Sequence, residues 1–85
     1  MERKYALTKV AAGDYLLPSN DAKTLWRIAR YLDTHEDHFK HFWGVYRWRG
    51  DLDAVDIEDW DRWEMVTGFL ETRQDAIDEA MRLGR

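Results

Sequence analysis

Between Thr24 and Leu32 the chain reads "TLWRIARYL", with Trp26, Ile28 and Leu32 on one parity and Arg27, Ala29 and Tyr31 on the other. An alternation of period two is the mark of a strand whose two faces meet different surroundings. The longer stretch "AKTLWRIARYL" also fits a helix; its β-rich neighbours favour the strand. Upstream, "YALTKVA" (Tyr5 to Ala11) has β-branched residues and weak alternation, and reads as a strand. "AGD" at 12 to 14 signals a turn, and "YLLPS" a short extended piece whose Pro18 suits an edge position. "SNDAK" at 19 to 23 supplies Asn and Asp for a second turn.

Downstream, "DTHEDH" (33 to 38) is polar and reads as a loop. "FKHFWGVYRWR" (39 to 49) is enriched in aromatics and Val and is closed by Gly50-Asp51, so it reads as a strand. "DLDAVDIEDWD" (51 to 61) carries six acids and no base, which predicts a solvated connection with a helical turn around Ala54 to Glu58. "RWEMVTGFL" from Arg62 to Leu70 resumes a strand. After it the period changes. Ala76, Ile77, Ala80 and Met81 recur on one helical face, Thr72 stands three residues before Asp75 in a capping pattern, and Gly84 suits a helix end. A helix from Arg73 to Leu83 follows. At about three turns it needs a docking partner, and the sheet is the one on offer.

The predicted architecture is α+β: an antiparallel sheet of four to five strands in a meander, with one C-terminal helix packed on one face. The other face is then left partly open to water. Residues 1 to 85 form one domain with no Pro/Gly-rich linker or repeat. A chain of this length buries only about 60–65% of its unfolded surface, so its core is thin. Twelve aromatics, five of them Trp, compensate for that.

Composition narrows the chemistry. There is no Cys, which removes disulfides and thiolate metal sites. Ser19 is the single serine, Thr72 is taken as a cap, and no Gly-rich phosphate loop is present. No enzyme and no cofactor are expected. His35, His38 and His41 are spaced by three, but "HEDHF" puts Phe39 where the zinc-protease pattern has its second His. A calcium loop starting at Asp51 fails at Val55, Asp56 and Arg62. No metal is expected. No apolar run approaches the ~20 residues that span a bilayer, and "MERKYALTKV" lacks an apolar signal core, so the expectation is a cytoplasmic protein with no membrane partner. The net charge of −4 disfavours nucleic-acid binding by the molecule as a whole.

A local basic-aromatic pattern is the exception. Arg27 and Tyr31 share a parity on one strand; Trp43, Arg47 and Arg49 share one on the next, interleaved with Tyr46 and Trp48. If those parities align on the open face, Arg27, Tyr31, Trp43, Arg47 and Arg49 share it, and with Tyr46 and Trp48 of the same aromatic-rich strand they make up a contact of the residue types enriched in interface hot spots. The alternative is that long Arg stems merely cover sheet surface, and a one-residue slip in register would invert the face.

Two stretches, "GDYLLPSNDAKTLWRI" and "DWDRWEMVTGFLETRQDAIDEAMR", resemble small orphan proteins encoded by phages of mycobacteria and related actinobacteria. The resemblance covers nearly half the chain and carries no active site. It implies a protein made in the bacterial host's cytoplasm, of a kind often dispensable for the phage and in some cases acting by binding a host protein. The order of three strands then a helix is similar to the DNA-binding domains of tyrosine integrases and plant ethylene-response factors, whose sheets read the major groove with Arg and Trp; Arg27, Trp43, Arg47 and Arg49 would serve here. The six-acid stretch departs from that pattern. The functional expectation is a non-enzymatic interaction module for a host protein, with DNA or RNA binding through the same arginines as the alternative and self-assembly through an unpaired edge strand as a third reading.

Overall fold

A computed structural model of the chain describes residues 7–19, 23–34 and 40–83. Five antiparallel strands follow one another as a meander: β1 (Thr8–Ala11), β2 (Asp14–Pro18), β3 (Leu25–Asp33), β4 (Lys40–Trp48) and β5 (Trp63–Leu70). The helix α1 (Arg73–Leu83) closes the chain. The fold is α+β, and the sheet is open, with β1 and β5 at its edges.

Turn chemistry joins the first strands. Gly13 takes φ +69 between β1 and β2, a left-handed conformation that glycine adopts without a Cβ penalty. The sequence suggested an edge position for Pro18, but β2 lies inside the sheet between β1 and β3; Pro18 is its last residue, two beyond Leu16, where the described pairing with β1 stops. Thr72 caps α1 by accepting from the Asp75 amide at 3.1 Å. The helix spans the predicted residues, and Gly84 lies outside the described ones.

Strand register decides everything about the faces. On the helix side stand the rows Tyr15–Ile28–Val45–Thr67, Leu17–Trp26–Arg47–Glu64 and Arg30–Trp43–Leu70. Ala76, Ile77 and Ala80 of α1 pack there against Leu17, Trp26, Ile28 and Val45, with Trp43, Leu70 and Met81 around the margin. Ile28 and Val45 are completely buried at the centre. The opposite face carries Asp14–Ala29–Gly44, Leu16–Arg27–Tyr46–Met65, Tyr31–Phe42 and Trp48–Trp63.

The acidic connection between β4 and β5 differs from its expectation in part. It is solvated as expected, but its helical turns are two short 3-10 turns, Leu52–Ala54 and Trp60–Arg62, rather than one around Ala54 to Glu58. Its acids do stay exposed or half-exposed, but its backbone and Trp60 fold onto the face opposite the helix. The Ile57 carbonyl accepts from Arg27 Nη1 at 2.7 Å, and the Asp56 carbonyl accepts from the Trp63 indole at 3.0 Å. Buried donors reaching for carbonyls draw the connection inward.

Candidate functional site

The face without the helix is the candidate surface, and its residues separate into a buried end and an open end. At the buried end Arg27 is only 3% exposed. Its guanidinium grips both carboxylate oxygens of Asp14, with Nε to Oδ1 at 2.8 Å, and lies 3.8 Å beneath the ring centre of Trp60 and 5.2 Å from that of Trp63. A planar fork that satisfies a carboxylate while stacking on indoles is a task for Arg rather than Lys. Trp48 and Trp63, ring centres 5.0 Å apart, are buried beside it.

The open end is aromatic. Tyr31, Phe42 and Phe69 pack as a trio with centroids 5.3 to 6.3 Å apart. Phe69 is 65% exposed and holds φ 59, a left-handed conformation unusual for a bulky residue. Its amide donates to the Tyr31 hydroxyl at 2.9 Å, which fixes that backbone. Here the ladder between β4 and β5 is irregular: Trp43 opposes Leu70 while Val45 opposes Thr67, so one more residue lies between the β5 partners than between those of β4. The bulge turns Phe69 onto the open face. Met65, also exposed, leans over Gly44 and Gly68, where an added Cβ would come within 3.1 Å of its terminal methyl and its sulfur respectively.

Between the two ends lies a hollow of about 360 Å³, lined by Ala11, Ala12, Gly13, Asp14, Ala29, Arg30, Tyr31, Tyr46 and Trp60. Small side chains at Ala29, Ala11 and Ala12 leave the space; Tyr31, Tyr46 and Trp60 wall it. The Tyr46 and Trp60 rings meet edge to face at 5.2 Å. The Tyr46 phenol is pushed above its ordinary value by burial first and by the neighbouring Tyr31, with Arg27 opposing.

The predicted patch is therefore divided. Tyr31 and Tyr46 do share this face, and Trp48 lies on it but buried. Arg27 is on it too, but as the buried centre of an ion pair rather than an exposed contact. Trp43, Arg47 and Arg49 are not on it. Pairing of Arg27 with Tyr46 and of Trp26 with Arg47 puts the odd positions of β4 on the helix side. There Trp43 packs against the core margin and Tyr15, and Arg47 and Arg49 both donate to one Glu64 oxygen, at 2.9 and 3.0 Å. Those two arginines hold the Glu64 carboxyl below its ordinary range. Parity within each strand agrees with the sequence expectation, but the relation between the two strands is the inverse of the expected one, and that relation is a matter of register.

Phe42, Trp60, Met65 and Phe69 were missed. Trp60 carried a signal, as a large aromatic alone among acids. Phe69 carried none, because its direction comes from the bulge. Of the three histidines, His35 and His38 lie outside the described residues; His41 stands exposed on the helix side of β4. Among the described residues no group of three His, Asp or Glu side chains is placed to hold a metal, and no helix is long and apolar enough to cross a membrane. Comparison with protein-family profiles, with curated proteins and with solved structures finds no match to this chain.

Proposed function

We propose that the chain is a non-enzymatic interaction module whose uncovered sheet face binds a protein of a bacterial host. One observation carries the reading: Phe69 is held out on the open face, by a bulge and by the Tyr31 hydroxyl, in a backbone conformation that costs energy. Strain of that kind persists where something is gained from it, and an exposed, rigid aromatic beside Tyr31, Phe42 and Met65 is the makeup of an interface centre. The phage resemblance supplies the host context, and the expected compartment is the bacterial cytoplasm. The arginines favour a protein partner over a nucleic acid. Arg27 is neutralised by Asp14, and Arg47 and Arg49 share Glu64.

The test is capture of a partner from host lysate by the tagged chain, with and without nuclease. Phe69→Asn removes the ring yet keeps a residue that tolerates the left-handed backbone. Capture should survive nuclease, fall sharply in Phe69→Asn and persist in Arg47→Ala with Arg49→Ala. Capture abolished by nuclease and by the arginine substitutions would instead indicate nucleic-acid binding, with a steep salt dependence. Capture indifferent to Phe69→Asn would refute the proposed face.

A further inference from the structure

The hollow beside Tyr46 deepens this reading, on which it rests, by specifying the partner's chemistry. The geometry points to a binding site for a cationic side chain, lysine or arginine, presented by a basic peptide segment of the partner. Three features support it. First, about 360 Å³ is at the low end of ligand pockets, suited to one long side chain rather than to a cofactor. Second, the walls are the rings of Tyr31, Tyr46 and Trp60, and π-faces attract cations. Trp60 rests on Arg27 yet remains 48% exposed, so ring surface is left for an incoming group. Arg27 already shows that this cluster accepts a guanidinium.

Third, charge complements a basic partner. Asp14 and Arg27 cancel. Arg30, the other charged lining residue, is a cation, but its register sets its side chain on the helix face, against the Gly13 turn. Trp60 itself is borne by the connection 51 to 61, with its six acids and no base. Asp59 is bridged to Arg62 at 3.4 Å, and the Asp51 and Asp56 carboxylates accept from backbone amides of their own turns. An incoming cation thus approaches through an acidic field toward aromatic walls. The apolar residues flanking it on the partner would lie along Tyr31, Phe42 and Phe69.

The test is nuclear magnetic resonance titration of the full chain with a blocked hexapeptide of alternating Lys and Val, and with the same peptide carrying Gln for Lys. The Lys peptide should bind about tenfold more tightly, the order of one desolvated cation–π contact, and should shift the resonances of Ala29, Tyr46 and the Trp60 indole. Ala29→Leu, which fills the hollow, should abolish those shifts in a folded protein. Should Ala29→Leu not fold, Trp60→Leu gives the same readout from the wall. Glu58→Gln with Asp61→Asn should weaken binding more than Asp78→Asn with Glu79→Gln, which removes equal charge from the helix. Equal weakening by the two pairs, equal binding of the Gln peptide, no shift at the hollow, or affinity no greater than for tetramethylammonium alone would each overturn the inference. If lysate capture is lost in Phe69→Asn while the Lys peptide leaves the hollow unshifted, this inference fails alone; if capture ignores Phe69→Asn, the underlying reading fails.

Discussion

Arg27 and Tyr46 face each other across β3 and β4, and both derive their properties from burial. Removing one member of a buried, hydrogen-bonded pair leaves the other charge uncompensated, at a cost of about 3–5 kcal/mol. Arg27→Ala should therefore lower stability by about that much in chemical denaturation, because Asp14 loses both its donors and Trp60 its support. An unchanged denaturation midpoint would contradict the pairing. Arg27→Lys should recover only part of the loss, since an ammonium cannot bridge two oxygens while stacking flat on an indole. Tyr46 gives a pH signature. Burial raises its phenol above 10.0, so the neutral form is the one the fold favours. The associated stability is present below the unfolded value and is lost as pH rises through the folded one. Ultraviolet titration should show a late tyrosine ionisation that is absent in Tyr46→Phe; identical curves would exclude it.

Each element is held by a different means. The helix depends on its cap and on three small or branched side chains that meet the sheet. Thr72→Ala should cost about 1 kcal/mol through the lost cap bond. Ile77→Asp should unfold the domain or nearly so, since it buries an unpaired charge beside Ile28 and Val45. Asp78→Lys, on the exposed face, should stay within about 0.5 kcal/mol of the parent. Equal thermal midpoints for Ile77→Asp and the parent protein would exclude the docking of α1. The strand β5 is held less regularly. Its bulges interrupt the ladder at one sheet edge, and this protects that edge from pairing with another chain while aiming Phe69 outward. Phe69→Gly should change stability by less than about 1 kcal/mol, because relief of the left-handed backbone offsets the lost ring contacts.

Across the whole molecule, protection should grade from the centre of the sheet to its edges. β3 and β4, nine residues each, sit in the middle and carry the fully buried Ile28 and Val45. β1 is four residues long, mostly exposed and paired on one side only. Amide hydrogen exchange at Ile28 and Val45 should require global unfolding, whereas Thr8 to Ala11 should exchange through local opening. Uniform protection over all five strands would be inconsistent with this gradient. The same layering explains why one face is available for binding. A single three-turn helix can cover one side of the sheet, and the acidic connection covers only the Arg27 end of the other.

Local chemistry was enough to specify the elements. Period-two alternation located β3, the capping pattern Thr72–Asp75 and the apolar spacing from Ala76 to Met81 located α1, and turn residues separated the strands, so the five-stranded meander with its helix was legible in the sequence. These signals act over a few residues, and each element's own composition carries them. Which face Arg47 occupies is another kind of question. It depends on β3 and β4 pairing so that Trp26 meets Arg47 and Arg27 meets Tyr46, and a shift of one residue would have sent Trp43, Arg47 and Arg49 to the open side. The direction of Phe69 depends on a bulge that arises only when β5 is laid against β4. The hollow depends on Ala29, Gly13 and Trp60, brought together from three separate parts of the chain. Helix, strands and turns thus followed from short-range propensity and periodicity, while the binding face was decided by tertiary structure, because register and burial are properties of paired segments and no single segment contains them.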